Sequence, residues 1–292
     1  MNYSNRLGDK QMKIDSLQPT LAVANTLSRF KGFYCMAGMV VRFNHCGEPY
    51  WIITLMDAFS HIMVNVAQKE CDLGRMSPYG FVHLEASRIK SPEGDYYVAD
   101  YIYTVDEIPE KYRNVSLVPK AAAEDAQDVL RLVQIVDKIA YPELKHFVNS
   151  TLMQRRIMLP FLRNPASLNH HHNFVGGLLR HSVGVAELFA EKGQGRKEEK
   201  ALGIVGALLH DLGKTQTLAA SMMYTATGTL VNHDFLTLEL CAAPLEILSK
   251  KNPRYADILR HIWTCNKGRY AYISKLDIAT QVQYFDRHDA TR

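Results

Sequence analysis

What most constrains this chain is a change of hydrophobic period part-way along it. Between positions 30 and 105, apolar residues fall in short β-prone runs broken by turn residues; from position 121 onward they recur at helical spacing. The β-prone runs are FYCMAGMVVRFN (33–44), YWIITLMD (50–57), HIMVNVA (61–67), YGFVHLEASRI (79–89) and DYYVADYIYTV (95–105). Turns at Cys46-Gly47-Glu48-Pro49 and Ser91-Pro92-Glu93-Gly94 separate two pairs of them, and a polar segment, 68–78, follows the third. In the later half, 121–140 sets Val129, Val133 and Val136 with Leu130 and Leu132 on a broad apolar face. Further helices are predicted over 143–162 with an interruption near Pro160, and over 177–191 and 198–212. The last three fall at 235–250, where Pro244 should kink or divide the helix, at 254–265 and at 275–289.

Five β-prone runs at this spacing predict a small antiparallel β-barrel, OB-like, with an SH3-like barrel or a small sandwich as the other architectures of that size. The polar segment 68–78 stands where a five-stranded barrel of the OB type carries a connecting helix or loop. The charged stretch after it holds Pro109 and Pro119 and reads as a linker. The predicted class is therefore α+β in two domains: a lead-in at 1–25, the barrel at 26–108, a linker at 109–122 and an all-helical unit at 123–292. A length of 292 residues suits one large or two small domains. With 47% apolar and 22% charged residues, the chain is no disordered tail, collagen-like rod or disulfide-dense mini-protein. The longest strongly apolar stretch, 201–209, is far short of the roughly 20 residues a spanning helix needs. The first fifteen residues lack an apolar core, so no signal peptide is expected. Cys35, Cys46, Cys71, Cys241 and Cys265 form no C-x-x-C pair, a usage that suits a reduced, cytoplasmic protein.

The net charge of +4 conceals an asymmetry: residues 1–150 carry 16 Lys and Arg against 18 Asp and Glu, and residues 151–292 carry 18 against 12. Eight of the twelve histidines lie in that second, basic half, and metal-assisted chemistry on phosphates uses both kinds of residue. Its strongest motif is ALLHDLGKT, 207–215. His210 and Asp211, adjacent at the end of an apolar helix, can share one divalent ion as a softer nitrogen and a harder oxygen ligand. Gly213 would let the chain turn sharply, and Lys214 would then face a phosphate. In NHHHNFVGGLLRHS (169–182), His181 lies 29 residues before His210 on the preceding helix, so an antiparallel pair would bring both to one site. Gly176 and Gly177 permit a tight entry turn or close helix approach. In VQYFDRHDA (282–290), spacing alone does not choose between Asp286 and Asp289, although a salt-bridged helix-end role suits Asp289 better. His233 and His261 lie between these motifs as candidates for a second metal or a phosphate contact, although a lone histidine on an apolar helix is more often a core residue than a ligand.

His181, the pair His210-Asp211 and Asp286 reproduce the H…HD…D order of the HD-domain superfamily of metal-dependent phosphohydrolases, which the chain resembles over about 140–292. The spans 161–188 and 207–214 are similar, in particular, to YhaM-type 3′→5′ exoribonucleases, in which an OB-fold precedes the HD domain. GGLLRHS and LLHDLGK also resemble the TraI-type domain of MobH relaxases. The resemblance implies that His181, His210, Asp211 and Asp286 are metal ligands, that Lys214 contacts a phosphate and that His233 serves a second metal or the substrate. It matches His171 and His172 to the family's paired histidines. The ion it implies is divalent, manganese first, with magnesium, iron, nickel or cobalt as alternatives. One departure stands out: where YhaM-type sequences tend to carry His-His-Gly after the residue matching His261, this chain has Cys265-Asn266-Lys267-Gly268, which favours a single-metal site or an altered activity.

The function expected from these residues is a metal-dependent phosphodiesterase, a 3′→5′ exonuclease on single-stranded nucleic acid. The resemblance alone tilts the substrate to RNA. Asp211 or a nearby histidine would accept the water's proton, and Lys214 with Arg180 would neutralise the developing charge. Tyr34, Tyr50 and Trp51 would stack bases in the barrel. Two alternatives stand beside it. One is a hydrolase of nucleotides or small phosphoesters whose barrel serves partners or homo-oligomerisation. The other is a non-catalytic nucleic-acid-binding accessory protein of a mobile element, with a structural metal. No membrane partner is expected.

Overall fold

The computed structural model of the chain describes residues 18–67, 77–266 and 272–289. A one-turn helix, α1 (Leu21–Ala24), leads into β1 (Arg29–Phe43), β2 (Pro49–Met56), β3 (His61–Ala67), β4 (Gly80–Ile89) and β5 (Tyr96–Val105). The five strands close in the order β1-β2-β3-β5-β4. At 15 residues, β1 is long enough to pair antiparallel with β4 through its first half and with β2 through its second. The two pairings overlap at Cys35 and Met36, and a register shift follows at once, between Met36 and Gly38 in the pairing with β2, where a bulge lets the strand bend. β3 and β5 meet in parallel at Val64–Tyr97 and Asn65–Val98, which completes the closure. Phe30, Tyr34, Leu55, Val64, Val66 and Leu84 are buried within it. All five expected strands are present, β1 beginning four residues before the predicted run. Most of the polar segment 68–78 lies outside the described residues.

The segment read as a linker is a packed strap. It forms three short 3-10 turns, at 110–112, 115–117 and 120–122, and buries Val115, Ser116, Leu117 and Val118. Ala58 N–H donates to Ser116 O and Val115 N–H donates to the Asn149 side chain, so the strap is bonded to the barrel on one side and to the helices on the other. Its prolines break periodicity without freeing the chain.

The helical half comprises α2 (Ala126–Asp137), α3 (Pro142–Leu152), α4 (Arg155–Arg163), α5 (Gly177–Lys192), α6 (Lys197–Leu209) and α7 (Lys214–Thr217). A two-residue hairpin, β6 (Leu218–Ala219) and β7 (Met223–Tyr224), precedes α8 (His233–Lys251), α9 (Pro253–Thr264) and α10 (Asp277–Asp289). The prolines do not break the helices where the sequence placed the breaks. The break in 143–162 falls at Met153-Gln154, and Pro160 sits inside α4. Pro244 is buried within an undivided α8: the carbonyl of Leu240, whose helix partner the proline removes, receives a long 3.5 Å bond from the Gln154 side chain instead. No helix among the described residues is long and apolar enough to cross a membrane.

At the centre lies α6, buried from Ala201 to Leu209 and packed against α5, α9 and α10. Its contact with α5 has no room for a side chain at Gly203, where an added Cβ would stand 2.0 Å from Phe189 Cζ. Gly206 likewise accommodates Ile262, and its carbonyl accepts the Trp263 indole N–H at 3.0 Å. Gly203→Ala should force α5 and α6 apart and lower stability by about 1–3 kcal/mol, the ordinary cost of overpacking a close-packed core. Chemical denaturation of the variant beside the parent protein measures this, and an unchanged midpoint would refute it.

Candidate metal centre

Three helices each deliver a ligand to one point. His181 comes from α5, His210 caps the C-terminus of α6 with Asp211 next to it, and Asp286 comes from α10. His181 Nε2 lies 3.2 Å from His210 Nε2, 3.2 Å from Asp286 Oδ1 and 3.5 Å from Asp211 Oδ2. His210 Nε2 lies 3.3 Å from Asp286 Oδ1 and 3.4 Å from Asp211 Oδ2. Neighbouring ligands around an ion with metal–ligand bonds of 2.0–2.2 Å stand about 3.3–3.6 Å apart in a tetrahedron and about 2.8–3.1 Å apart in an octahedron. The observed spacings fall within these ranges or between them.

The other nitrogen of each histidine has a partner that can only accept. His181 Nδ1–H donates to Asp289 Oδ2 at 2.9 Å, and His210 Nδ1–H donates to the Ala207 carbonyl at 2.7 Å. Both Nε2 lone pairs are thereby aimed at the shared point, the arrangement in which outer carboxylates and carbonyls orient metal-binding histidines. The donor set, two imidazoles and two carboxylates, suits a divalent first-row ion. The electrostatics agree with this. Burial alone would lower the His181 pKa, but Asp211, Asp286 and Asp289 raise it to about 11. Burial also opposes the charge on His210, which Asp211 and Asp286 raise to about 9. Burial would raise Asp211 and Asp286, yet His210 holds both well below the usual carboxylate range, helped by Lys214 at Asp211 and by His181 at Asp286. The pocket is a strong attractor of positive charge.

Past Asp211 the chain turns into α7, and the reason for Gly213 differs from the expected one. Its backbone is helical, φ −58° and ψ −22°, and needs no glycine. What demands glycine is the carbonyl of His233, which would lie 1.9 Å from a Cβ there. Thr237 Oγ1, which the sequence did not flag, accepts the Gly213 N–H at 3.0 Å and donates to the His210 carbonyl at 3.3 Å, locking the turn to α8. Asn164 does the same from the other side through Thr215 O and Leu218 O, at 3.3 and 2.6 Å. Lys214 Nζ donates to Asp211 Oδ2 at 2.6 Å, and His233 Nε2 stands 3.3 Å from the other oxygen of Asp211.

The remaining expected residues divide sharply. His171 stands beside the centre, its ring 5.4 Å from that of His181. His172 is committed instead to Asp289, 3.0 Å away. Arg180 does not serve the site: Asp128 and Asp125 hold its guanidinium, each at 2.8 Å, because one residue's rotation along α5 carries it off the His181 face towards α2. His261 accepts the Lys275 backbone N–H at 3.0 Å on Nε2, which occupies that lone pair. Asn266 bonds Gln283 at 3.0 Å, while Lys267 and Gly268 lie outside the described residues. In the barrel, Tyr34 is fully buried with its hydroxyl on Pro19 O, so its ring cannot meet a base, while Trp51, opposite Val66, is half-buried against the barrel core. Tyr50, one residue out of that phase, lines an outer groove with Asn65 and Tyr96.

Residues 178–267 match the family model described as HD domain. The match lies within the helical half and runs from α5 through α9. HD domains bind divalent metals, and the match supports a metal-dependent phosphohydrolase; His181, His210 and Asp211 lie inside it, while α10 with Asp286 lies beyond. No solved structure matches the chain.

A metal ion must displace the protons that these carboxylates hold on His181 and His210, so affinity should fall with acidity. Between pH 8.5 and pH 6.5 the apparent dissociation constant for Mn²⁺ should rise by more than about tenfold, with proton release on binding. Titration calorimetry in buffers of different ionisation enthalpy reads both, and a pH-independent constant would contradict the arrangement.

Proposed function

We propose that this chain is a metal-dependent phosphodiesterase that shortens single-stranded nucleic acid, RNA by preference, from its 3′ end. The observation that carries the hydrolytic part is the convergence of His181, His210, Asp211 and Asp286 with both histidine tautomers held by outer partners. A divalent ion bound by these four residues supplies charge for a phosphoryl oxygen and acidifies a water molecule. Lys214, on Asp211 Oδ2, presents its ammonium at the rim, where charge develops on a phosphoryl group. Burial and the neighbouring His181 and His172 lower the His171 pKa, so its imidazole is neutral and able to accept a proton from the attacking water. His233 orients the second oxygen of Asp211.

The strand-binding part rests on the barrel. Its strand order, with a parallel β3–β5 seam, is read as that of an OB-type barrel. Base stacking is assigned to the outer face of β1, β4 and β5. There His83 and Tyr103 stand in cross-strand register, ring centroids 5.1 Å apart, with Tyr101 stacked beside Tyr103 and the buried Phe33 ring backing His83 at 4.4 Å. Lys31 Nζ lies 5.5 Å from the centre of the Tyr101 ring, a cation at the edge of an aromatic platform. The preference for RNA and the 3′→5′ direction come from the sequence resemblance.

Incubating the protein with Mn²⁺ and 5′-end-labelled single-stranded RNA or DNA should yield a ladder of 3′-shortened products, longest first. Turnover of nucleotides or model esters alone would replace the substrate class, and strand binding without turnover under any divalent ion would replace the enzyme with an accessory binder. Lys214→Ala should lower kcat by about 10²–10³-fold while metal content is kept. Tyr101→Ala with Tyr103→Ala should weaken strand binding by about 1–3 kcal/mol per lost stack and leave hydrolysis of a mononucleotide ester unchanged. Unaltered strand affinity in that double variant would move the binding surface elsewhere, the Tyr50 groove being the next to test.

A further inference from the structure

We propose that Asp289 is a positioning residue that latches the loop at 165–175 to the metal ligand His181 through a single carboxylate oxygen. The inference rests on the metal-centre reading above. Three features of the backbone, separate in sequence, converge on it. First, Asp289 Oδ2 accepts two N–H groups at once, from His181 Nδ1 at 2.9 Å and from His172 Nε2 at 3.0 Å. Its side chain is nearly fully buried, so neither bond competes with bulk water. Second, α5 is cut away to admit the carboxylate. A Cβ at Gly184, three residues beyond His181 and so on the same face, would stand 2.6 Å from Asp289 Oδ1 and 3.2 Å from its Cγ. Third, His172 is held by its own backbone. It adopts the left-handed region with φ 54°, which L-residues with side chains seldom do, and its carbonyl accepts the Ala166 N–H at 3.1 Å. That carbonyl lies where a Cβ on Gly177 would come within 2.1 Å, so the loop seats directly on the first turn of α5.

These contacts give Asp289 two tasks. It fixes the Nδ1–H tautomer of His181, so that Nε2 faces the other ligands. It also holds in place the loop that carries His171, beside the centre, and the exposed ring of Phe174. Lifting His172 away would remove one of the two donors on Oδ2 and leave the carboxylate free to rotate off His181. What the loop touches is thereby transmitted to a metal ligand over one shared oxygen.

The test uses the full chain, stripped with chelator, with two readouts apart from turnover: the dissociation constant for Mn²⁺, and the NMR signal of the His181 Nδ1–H in protein loaded with Zn²⁺, a diamagnetic ion. Asp289→Asn, nearly isosteric, and Gly184→Ala, which displaces the carboxylate without removing it, should each raise the dissociation constant about 10–100-fold and weaken or abolish the Nδ1–H signal. His172→Ala should raise it by a smaller factor, and His172→Gln, which restores a donor, should recover part of the loss. Circular dichroism checks the fold of each variant, and if Gly184→Ala does not fold, Asp289→Asn decides alone. Parent-like affinity and an intact Nδ1–H in Asp289→Asn, while Asp211→Ala abolishes binding, would overturn the latch and leave the metal centre standing. Parent-like affinity in Asp211→Ala would overturn the metal centre itself and the latch with it.

Discussion

The metal centre depends on how closely α6 can lie against α5. His181 and His210 belong to different helices, and their Nε2 atoms come within 3.2 Å only because Gly203 leaves the space that the Phe189 ring fills. Close packing of this kind is not continuously adjustable, so the separation of the two imidazoles is set by the core and not by the side chains at the site. The same helix is pinned on its other flank by Trp263, whose indole bonds the Gly206 carbonyl. With both neighbours fixed, α10 has one groove in which to lie, and that groove brings Asp286 and Asp289 to opposite sides of His181.

Gathering three carboxylates in one place, Asp211 and Asp289 buried and Asp286 half-buried, is unfavourable unless positive charge accompanies them. In the metal-free protein, protons on the two histidines and the ammonium of Lys214 provide it, which is why the imidazoles hold their protons so strongly. A divalent ion held by these residues would take the place of those protons in the same field. The excess of basic residues in the second half is consistent with this, but not all of it serves the site: Arg180 joins Arg131 of the first half in a paired network with Asp128, Asp125 and Glu187. At the cluster itself the lysine or arginine charge comes from Lys214.

The strands and helices were legible because period is a local property, and so was the H…HD core, since His210 and Asp211 are neighbours and His181 sits on the helix before them. What escaped depends on contacts between distant segments. Asp286 and Asp289 are one turn apart on one face; one meets Nε2 of His181 and the other Nδ1, a distinction only the docking of α10 makes. Asp289, expected in a helix-end ion pair, is bonded instead to two imidazoles, those of His181 and His172, and lies behind His181. In β1, Phe33, Tyr34, Cys35 and Met36 are all buried, so alternation could not say which ring faces inward. Tyr34 proved to be interior and Phe33 exterior, covered by Tyr112. Gly213 read as a turn glycine because turns are local; the His233 carbonyl that requires it comes from twenty residues away.

That covering tyrosine bears on how the two halves could cooperate. Tyr112 belongs to the strap, and its ring lies 5.0 Å from Phe33, so the aromatic row on β1, β4 and β5 continues beyond the barrel. The strap is in turn tied to α3, where Arg113 donates to Ser150 O, His146 meets Glu110 and Asn149 receives the Val115 N–H. On the barrel side, Lys120 Nζ donates to Phe59 O and its backbone N–H to Asp57 O. Asp57 itself is fully buried and accepts backbone N–H groups from Leu21, Phe59 and Ser60. A strand stacked on this row would therefore be gripped on a surface whose last ring is bonded, through the strap, to the helical half. A short, ordered connection of that kind keeps the effective concentration of a bound strand at the second site high, where a loose tether would dilute it. With a barrel half that is slightly acidic overall, such coupling would have to come from stacking and rigid placement more than from attraction to the phosphate backbone.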